Sequence, residues 1–406
     1  VRRLRMADAS IGLRHPDIPA TAFPAGIALA ATWDVTLAKA CGAAVGAEFR
    51  AGGFDVVLGP GVNLYRVAQC GRNFEYLGED PWLAGELAVG YVRGLQAQGV
   101  SATVKHFVAN NSDWHRSCSD SLVDERTLHE VYLAAFEAVV KRADVGAVMT
   151  SYNLVNGEYT AESRSLIRDT LQQAWGFAGT VMSDWSGTWH TEPAFDSGLS
   201  LEMGAAKAWT ADRLHALADE GKLDLDELDR KVAAVVRWTL AIDALQARVP
   251  DRGRRRCPEH LQTALEIARR GTVLLRNEGP LLPLAPDRGT LSVVGPCAWP
   301  TPTSGGGAAK VDAVDPRSIV GCISDTAPGV QILREHKHIA DADAVLVCVG
   351  FDDTTEREGI DRPFELPWKQ VQLIRECAEL NPNTIVVITA GGGVSMTEWI
   401  DGVKAV

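Results

Sequence analysis

The first 247 residues alternate between short apolar runs and amphipathic helical stretches, and this alternation restricts the chain more than any other feature. The apolar runs are "FDVVLGP" (54–60), "SATVKHF" (101–107), "VGAVMTSYN" (145–153), "GTVMSDW" (179–185) and "LSLEMG" (199–204). Between them lie helical segments such as "DPWLAGELAVGYVRGLQAQG" (80–99) and "DERTLHEVYLAAFEAVVKR" (124–142). In the second of these Asp124 is an N-cap candidate. Leu128, Val131, Tyr132, Ala135, Phe136, Val139 and Val140 recur on one helical face. Strands alternating with helices imply parallel pairing through right-handed crossovers. Strands that are apolar nearly throughout imply a sheet covered on both faces.

The pattern changes near residue 247. "ARVPDRGRRRCP" is polar and proline-containing and reads as a linker over 248–257. The basic "DRGRRRC" (251–257) within it reads as a solvated connection rather than a binding patch. A helix over 259–277 follows, then strand signals "LSVVGP" (291–296), "ADAVLVCVGF" (342–351) and "NTIVVITAGGG" (383–393). A helix over 366–382 separates the last two, and "TPTSGGGAAK" (301–310) is a loop. The sequence therefore divides into an α/β unit over 1–247, a linker over 248–257 and a smaller α/β unit over 258–406.

Polar residues sit where the strands of the first unit stop. "VVLGPGVN" ends at Asn63, "ATVKHF" at Lys105 and His106, "AVMTSYN" at Tyr152 and Asn153, and "TVMSDW" at Asp184. In a parallel α/β barrel such residues converge on one mouth, where sites are built. Taken singly, an aspartate after a strand caps the next helix, a Lys-His pair faces solvent and a tryptophan packs in the core. Four consecutive strands ending this way point instead to a site. Lys105, joined by Arg72, would hold Asp184 ionised, and an ionised, oriented aspartate is a nucleophile. Trp185 offers a flat face to the CH face of a sugar ring.

The remaining signals narrow the function. The chain is 46% hydrophobic with a formal net charge of −12, which disfavours a phosphate-backbone partner. No apolar run is long enough to span a bilayer, and no leader is evident at "VRRLRMADAS". The eight cysteines form no C-x-x-C pair and read as buried free thiols of a reducing, cytoplasmic compartment. His106 and His115 lack partners at metal-ligand spacing, and neither "GPG" (59–61) nor "SGGG" (304–307) has the context of a phosphate cradle. Neither a metal nor a cofactor is expected.

An ordered set of motifs carries a family resemblance. "FPAGIALAATWD" (23–34), "GPGVNLYR" (59–66), "CGRNFEYLGEDPWLAGE" (70–86), "VKHFVANN" (104–111), "VDERTLHEVYL" (123–133), "TSYNLVNGEY" (150–159) and "VMSDWSGTW" (181–189) lie in the first unit. "TSGGG" (303–307) and "GFDDTTEREGIDRPFELP" (350–367) lie in the second. In these the chain resembles the β-glucosidases of glycoside hydrolase family 3. The resemblance implies a (β/α)8 barrel followed by an α/β sandwich, with the active site between them. It implies Asp184 as nucleophile and Glu358 as acid/base, with Glu356 as the alternative. It also implies Asp8, Arg72, Lys105, His106 and Arg116 as sugar binders, Tyr152 beside the nucleophile, and Met149 and Trp185 lining the pocket.

Two carboxylates flanking a glycosidic bond fit that picture, one attacking the anomeric carbon and the other protonating the aglycone. The pKa of Glu358 would have to be raised, and Asp352, Asp353 and Glu356 could supply the negative charge. The expected substrate is a small-molecule or oligosaccharide β-glucoside. A β-xyloside, or a sugar bound without catalysis, are the alternatives. "KHFVANN" differs from the "KHFPGHG" pattern of the N-acetylglucosaminidase branch. "MADASIGLR" (6–14) lacks the family's Asp-Gly-Pro, and the connection near 327–338 is abbreviated. The sandwich also stops early, so the chain reads as incomplete, with an exposed sheet edge that further segments or a partner chain would cover. The aglycone and homo-oligomerisation stay open.

Overall fold

The computed structural model describes residues 2–247, 254–279, 281–287 and 289–406. In the first unit, β1 (Met6–Ala7), β2 (Val56–Val57), β3 (Ser101–Phe107), β5 (Ala147–Thr150) and β8 (Thr180–Met182) pair in parallel and in chain order. Leu201 continues the series with a single parallel bridge to Met182. The run expected as a strand over 199–204 is thus reduced to one contact, held by Ser200 N and Leu201 N on the Val181 carbonyl. Sequential parallel staves alternating with helices are the construction of a (β/α)8-type barrel. A small sheet lies apart from the barrel strands. It comprises β4 (Asp120–Ser121), β6 (Leu154–Val155) and β7 (Glu158–Tyr159).

Helices cover the barrel sheet, so every residue of β3 is buried. The helices Val35–Ala51 and Pro81–Gln96 begin at Asp34 and Asp80, whose carboxylates accept backbone N–H bonds as N-caps. They cross with their backbones in contact. A Cβ on Gly42 would lie 2.0 Å from the Tyr91 carbonyl oxygen, and one on Gly94 would lie 2.0 Å from that of Lys39. The stretch expected as one helix over 124–142 does begin at an Asp124 cap. It then widens into a π turn at Leu128–Tyr132 before Ala134–Ala143 resumes. The extra residue rotates the apolar stripe. Leu133 is fully buried, whereas Val131 and Tyr132 are only partly so.

The second unit is a four-stranded parallel sheet. Its strands are β9 (Thr290–Val294), β10 (Gln331–Leu333), β11 (Ala344–Gly350) and β12 (Thr384–Thr389), in the order β10-β9-β11-β12. The short β10 was not legible as a strand in the sequence. Helix Trp368–Leu380 covers β11 and β12 with Val371, Ile374 and Cys377. Along the outer edge of β12, Val386 N donates to Ala405 O and Lys404 N to Thr384 O. The expected open edge is therefore partly filled by the chain itself.

Of the expected linker, 248–253 lies outside the described residues. Helix Pro258–Gly271 follows, and residues 272–277 do not continue it. Although assigned by sequence to the second unit, this helix packs on the barrel, placing Ile267 in the barrel core. Buried Glu48 anchors it by accepting from Thr21 N, Thr21 Oγ1, Arg256 N and His260 Nδ1 at 2.6–3.0 Å. Arg254 and Arg255 are exposed. Among the described residues no helix is long and apolar enough to cross a membrane. Cys41, Cys70, Cys297, Cys348 and Cys377 are buried, whereas Cys118 and Cys322 are exposed, which corrects the reading of all eight as core thiols.

Gly42→Ala tests the helix contact. Inserting a methyl against a backbone oxygen is expected to lower the unfolding free energy by about 1–3 kcal/mol, seen as a lower urea midpoint with an unchanged denaturant slope.

Candidate active site

The barrel strands end at one mouth. Asp8 follows β1, Lys105 and His106 close β3, Met149 lies in β5 with Tyr152 just beyond it, and Asp184 follows β8. These residues line one cavity of about 200 Å³ together with Arg72, Trp185, Ala308 and Glu358. The volume is below the roughly 300–1,000 Å³ of sites for drug-sized ligands and suits a single small ring. Arg116 stands behind the wall, its guanidinium 4.2 Å from the Tyr152 ring centroid. All ten residues expected from the sequence therefore assemble. The strand-end residues Asn63 and Asn153 hold backbone instead. Asn63 pairs with His106 N and O at 2.9 and 2.8 Å, and Asn153 Nδ2 donates to Val108 O at 3.2 Å.

Asp184 is buried. Its Oδ1 accepts from Trp185 N at 2.7 Å. Its Oδ2 makes no hydrogen bond and lies 3.6 Å from His106 Nε2. Burial raises the pKa of this carboxyl above its ordinary value, while Arg72, Lys105 and Arg116 pull it back. The sequence expectation that the cations would dominate is corrected here: desolvation outweighs them. Burial and the same cations push His106 well below the ordinary imidazole value, so its ring is neutral. Lys105 is also buried, but Asp8, 3.1 Å from its Nζ, and Glu75 keep it charged. Arg72, fully buried, is clamped by Glu75 at 2.7 and 3.1 Å. Trp185 is 44% exposed, so it forms the rim of the cavity and not core.

Glu358 arrives from the second unit on the loop after β11. Gly71 N donates to Ile360 O at 3.1 Å and Arg362 N to Gln69 O at 2.7 Å, which fixes this loop against the barrel. The Glu358 carboxylate accepts from Arg116 Nη2 at 2.7 Å and Ala308 N at 2.8 Å, with Arg72 Nη1 at 3.7 Å. Its pKa is pushed down to about 2, because the two guanidinium groups and the Ala308 N–H overcome the opposing effect of burial. This reverses the sequence expectation of a raised pKa. The proposed negative neighbours are engaged elsewhere. Asp353 pairs with Lys310 at 2.6 Å, Asp352 binds the Thr354 hydroxyl, and Glu356 pairs with Arg362 at 2.8 Å and Gly391 N at 2.6 Å. Glu356 is buried on that pair and does not line the cavity.

Two residues were missed by sequence reasoning. Ala308 contributes only its backbone, which no side-chain pattern signals. Asp113, whose side chain is fully buried, binds Arg116 at 3.1 Å and the Gly359 N–H. Its signal was its place in "NNSDWHR", two residues after the quoted motif. Among the described residues no three His, Cys, Asp or Glu side chains converge as metal ligands would.

Comparison with known proteins agrees over the whole chain. The profile "Glycosyl hydrolase family 3 N terminal domain" matches residues 4–238, and "Glycosyl hydrolase family 3 C-terminal domain" matches residues 272–406. The "Thermostable beta-glucosidase B" of Acetivibrio thermocellus is 35% identical, aligned over 100% of this chain and 56% of its own length. The "Exo-alpha-(1->6)-L-arabinopyranosidase" of Bifidobacterium breve is 32% identical over 96% of this chain and 54% of its own. The chain spans about half the length of these curated relatives. Among solved structures, the Bifidobacterium adolescentis GH3 β-glucosidase superposes with a TM-score of 0.90 at 32% identity, covering 98% of this chain and 61% of that one. β-Glucosidase 3B of Thermotoga neapolitana, solved in complex with glucose, gives 0.89 at 30% identity, covering 98% and 64%.

A depressed carboxyl contributes stability above its unfolded value and loses it as pH falls through the folded one. Wild type should therefore be more stable than Glu358→Gln at pH 7, by at most about 3 kcal/mol. The gap should close between pH 4.5 and about 2. Urea unfolding of both proteins across that range reads it. A gap that does not change with pH would mean that Glu358 is not ion-paired.

Proposed function

Because the chain belongs to glycosyl hydrolase family 3, we propose that it is the catalytic part of a retaining β-glucosidase acting on terminal β-D-glucosyl groups of small glycosides or oligosaccharides. The observation that carries this reading is the meeting of two carboxylates in one small cavity. Asp184 comes from the barrel with one oxygen unengaged, and Glu358 comes from the second unit.

In this reading Asp184 Oδ2 attacks the anomeric carbon. The bond to the aglycone oxygen breaks, and that oxygen takes a proton from Glu358. Glu358, now a carboxylate, then removes a proton from water. The water oxygen bonds to the anomeric carbon and releases Asp184 with the configuration retained. Asp8, Lys105, His106 and Arg72 present charged and polar atoms to the ring hydroxyls, and Trp185 and Met149 present apolar surface to its CH face. Buried cations around Asp184 stabilise the carboxylate at the moment it attacks, where a desolvated site makes them effective. In the resting protein Glu358 is ionised by Arg116 and Arg72, so it needs a proton before it can act as an acid.

The relatives named above favour the glucosidase over the xylosidase. The arabinopyranosidase relative supports a second reading, a glycosidase for a pentopyranoside.

The test is hydrolysis of aryl β-glucoside by wild type and Asp184→Asn, with the released anomer followed by NMR. The expected outcome is β-glucose from wild type and a loss of at least about 10³-fold in the variant, the scale seen when a covalent nucleophile is removed. Undiminished turnover by Asp184→Asn, or first release of the α-anomer, would sink the reading. Sugar binding without turnover in both proteins would mean that the pocket only binds.

A further inference from the structure

Asp113 has no part in the steps above, yet its carboxylate is fully buried at the seam between the two units. Its Oδ2 accepts from Arg116 Nη1 at 3.1 Å and from the backbone N–H of Gly359, the residue after Glu358. Asn110 Nδ2 lies 3.4 Å from its Oδ1. Asp361 returns the contact, accepting from Asp113 N at 2.8 Å and Trp114 N at 3.3 Å. Each unit thus places one carboxylate on the backbone of the other, both within three residues after Glu358.

The same guanidinium is divided between two carboxylates. Arg116 gives Nη1 to Asp113 and Nη2 to Glu358. A buried clamp on Gly359 requires only a neutral acceptor. A full charge there is costly to desolvate unless its field is used. The field acts on Arg116 and therefore on how strongly Arg116 holds the ionised form of Glu358. Gly359, at φ +88°, sets the direction in which the chain leaves Glu358, and Asp113 fixes that peptide.

We propose that Asp113 is a positioning residue for the acid/base. It pins the peptide after Glu358 to the barrel and shares Arg116 with Glu358, so that Glu358 can take up a proton and deliver it to the aglycone. This rests on Glu358 acting as the acid/base of the glucosidase reading. The charged and titratable groups facing Glu358 are Arg72, Arg116, Tyr152 and, across the cavity, Asp184. Those facing Asp113 are Arg116, Arg72, Tyr76, Cys70 and Asp361.

The leaving group separates this role from a structural one. A dinitrophenolate departs without a proton, whereas a phenyl or alkyl aglycone needs one. Asp113→Ala removes both the clamp and the charge. It is expected to lower kcat/KM by about 10²–10³-fold on phenyl β-glucoside and by less than about tenfold on dinitrophenyl β-glucoside. Asp113→Asn keeps an acceptor for Gly359 but frees Arg116 to bind Glu358 more tightly. The basic limb of kcat for phenyl β-glucoside should then move down by about one pH unit.

Equal losses on both substrates with an unmoved pH limb would overturn the proposal while leaving the glucosidase reading intact. If Asp113→Ala does not fold, the pH profile of the Asn variant decides. Failure of wild type to hydrolyse either glucoside overturns both readings.

Discussion

The site depends on two guanidinium groups held out of water between two folded units. Arg72 is fully buried, and Arg116 is largely so. Removing such a charge from water costs several kcal/mol unless carboxylates surround it. Glu75 and Asp113 supply that compensation from the barrel, and Glu358 supplies it from the second unit. Withdrawing the Glu358 loop would leave both guanidinium groups short of a partner. The electrostatics of the pocket and the docking of the loop are therefore one interaction viewed from two sides.

That coupling explains why the two carboxylates shift in opposite directions. Asp184 lies deeper and accepts a single hydrogen bond, from Trp185 N, so desolvation prevails. Glu358 is nearer the surface, yet it receives a guanidinium and a backbone N–H directly, so hydrogen bonding and charge prevail. A count of nearby cations would rank the two the other way, because both see Arg72 and Arg116 and Asp184 also sees Lys105. Burial is the largest single effect on both; at Glu358 the guanidinium charges and hydrogen bonds together exceed it, and at Asp184 they do not.

Much of this was legible in the sequence for a simple reason. In a parallel barrel, position along a strand fixes position in space, so polar residues at the ends of β2, β3, β5 and β8 were expected to share one mouth, and those of β3, β5 and β8 do. Lys105, His106, Tyr152 and Asp184 follow from that geometry, with Arg72 read beside them as a second cation, while Glu358, Asp8 and Arg116 needed the family resemblance. What stayed hidden depends on contacts between segments distant in sequence. Asp113 and Gly359 are 246 residues apart, and Ala308 acts through a peptide group common to every residue. The π turn at Leu128–Tyr132 was hidden as well, because a single extra residue leaves helical periodicity almost intact while turning the buried face. The direction of the Glu358 shift failed for a related cause. Asp352, Asp353 and Glu356 are neighbours in sequence, but Asp353 and Glu356 are each paired with a cation and Asp352 is turned onto Thr354.

The seam also joins the second unit to the barrel at two separate places. Glu48 fastens helix Pro258–Gly271 to the barrel through a buried carboxylate network, well removed along the chain from the Glu358 loop. The loop is fastened separately, through Gly71, Gln69, Asp113 and Asp361. Most of the loop contacts use backbone on one side. Backbone contacts tolerate changes of side chain but not changes of path, and a Cβ on Gly71 would sit 2.2 Å from the Ile360 oxygen. The path of the loop thereby sets where the Glu358 carboxylate stands relative to the cavity. In the proposed reading, side chains around the cavity choose the sugar, and the backbone of the seam decides whether Glu358 reaches it.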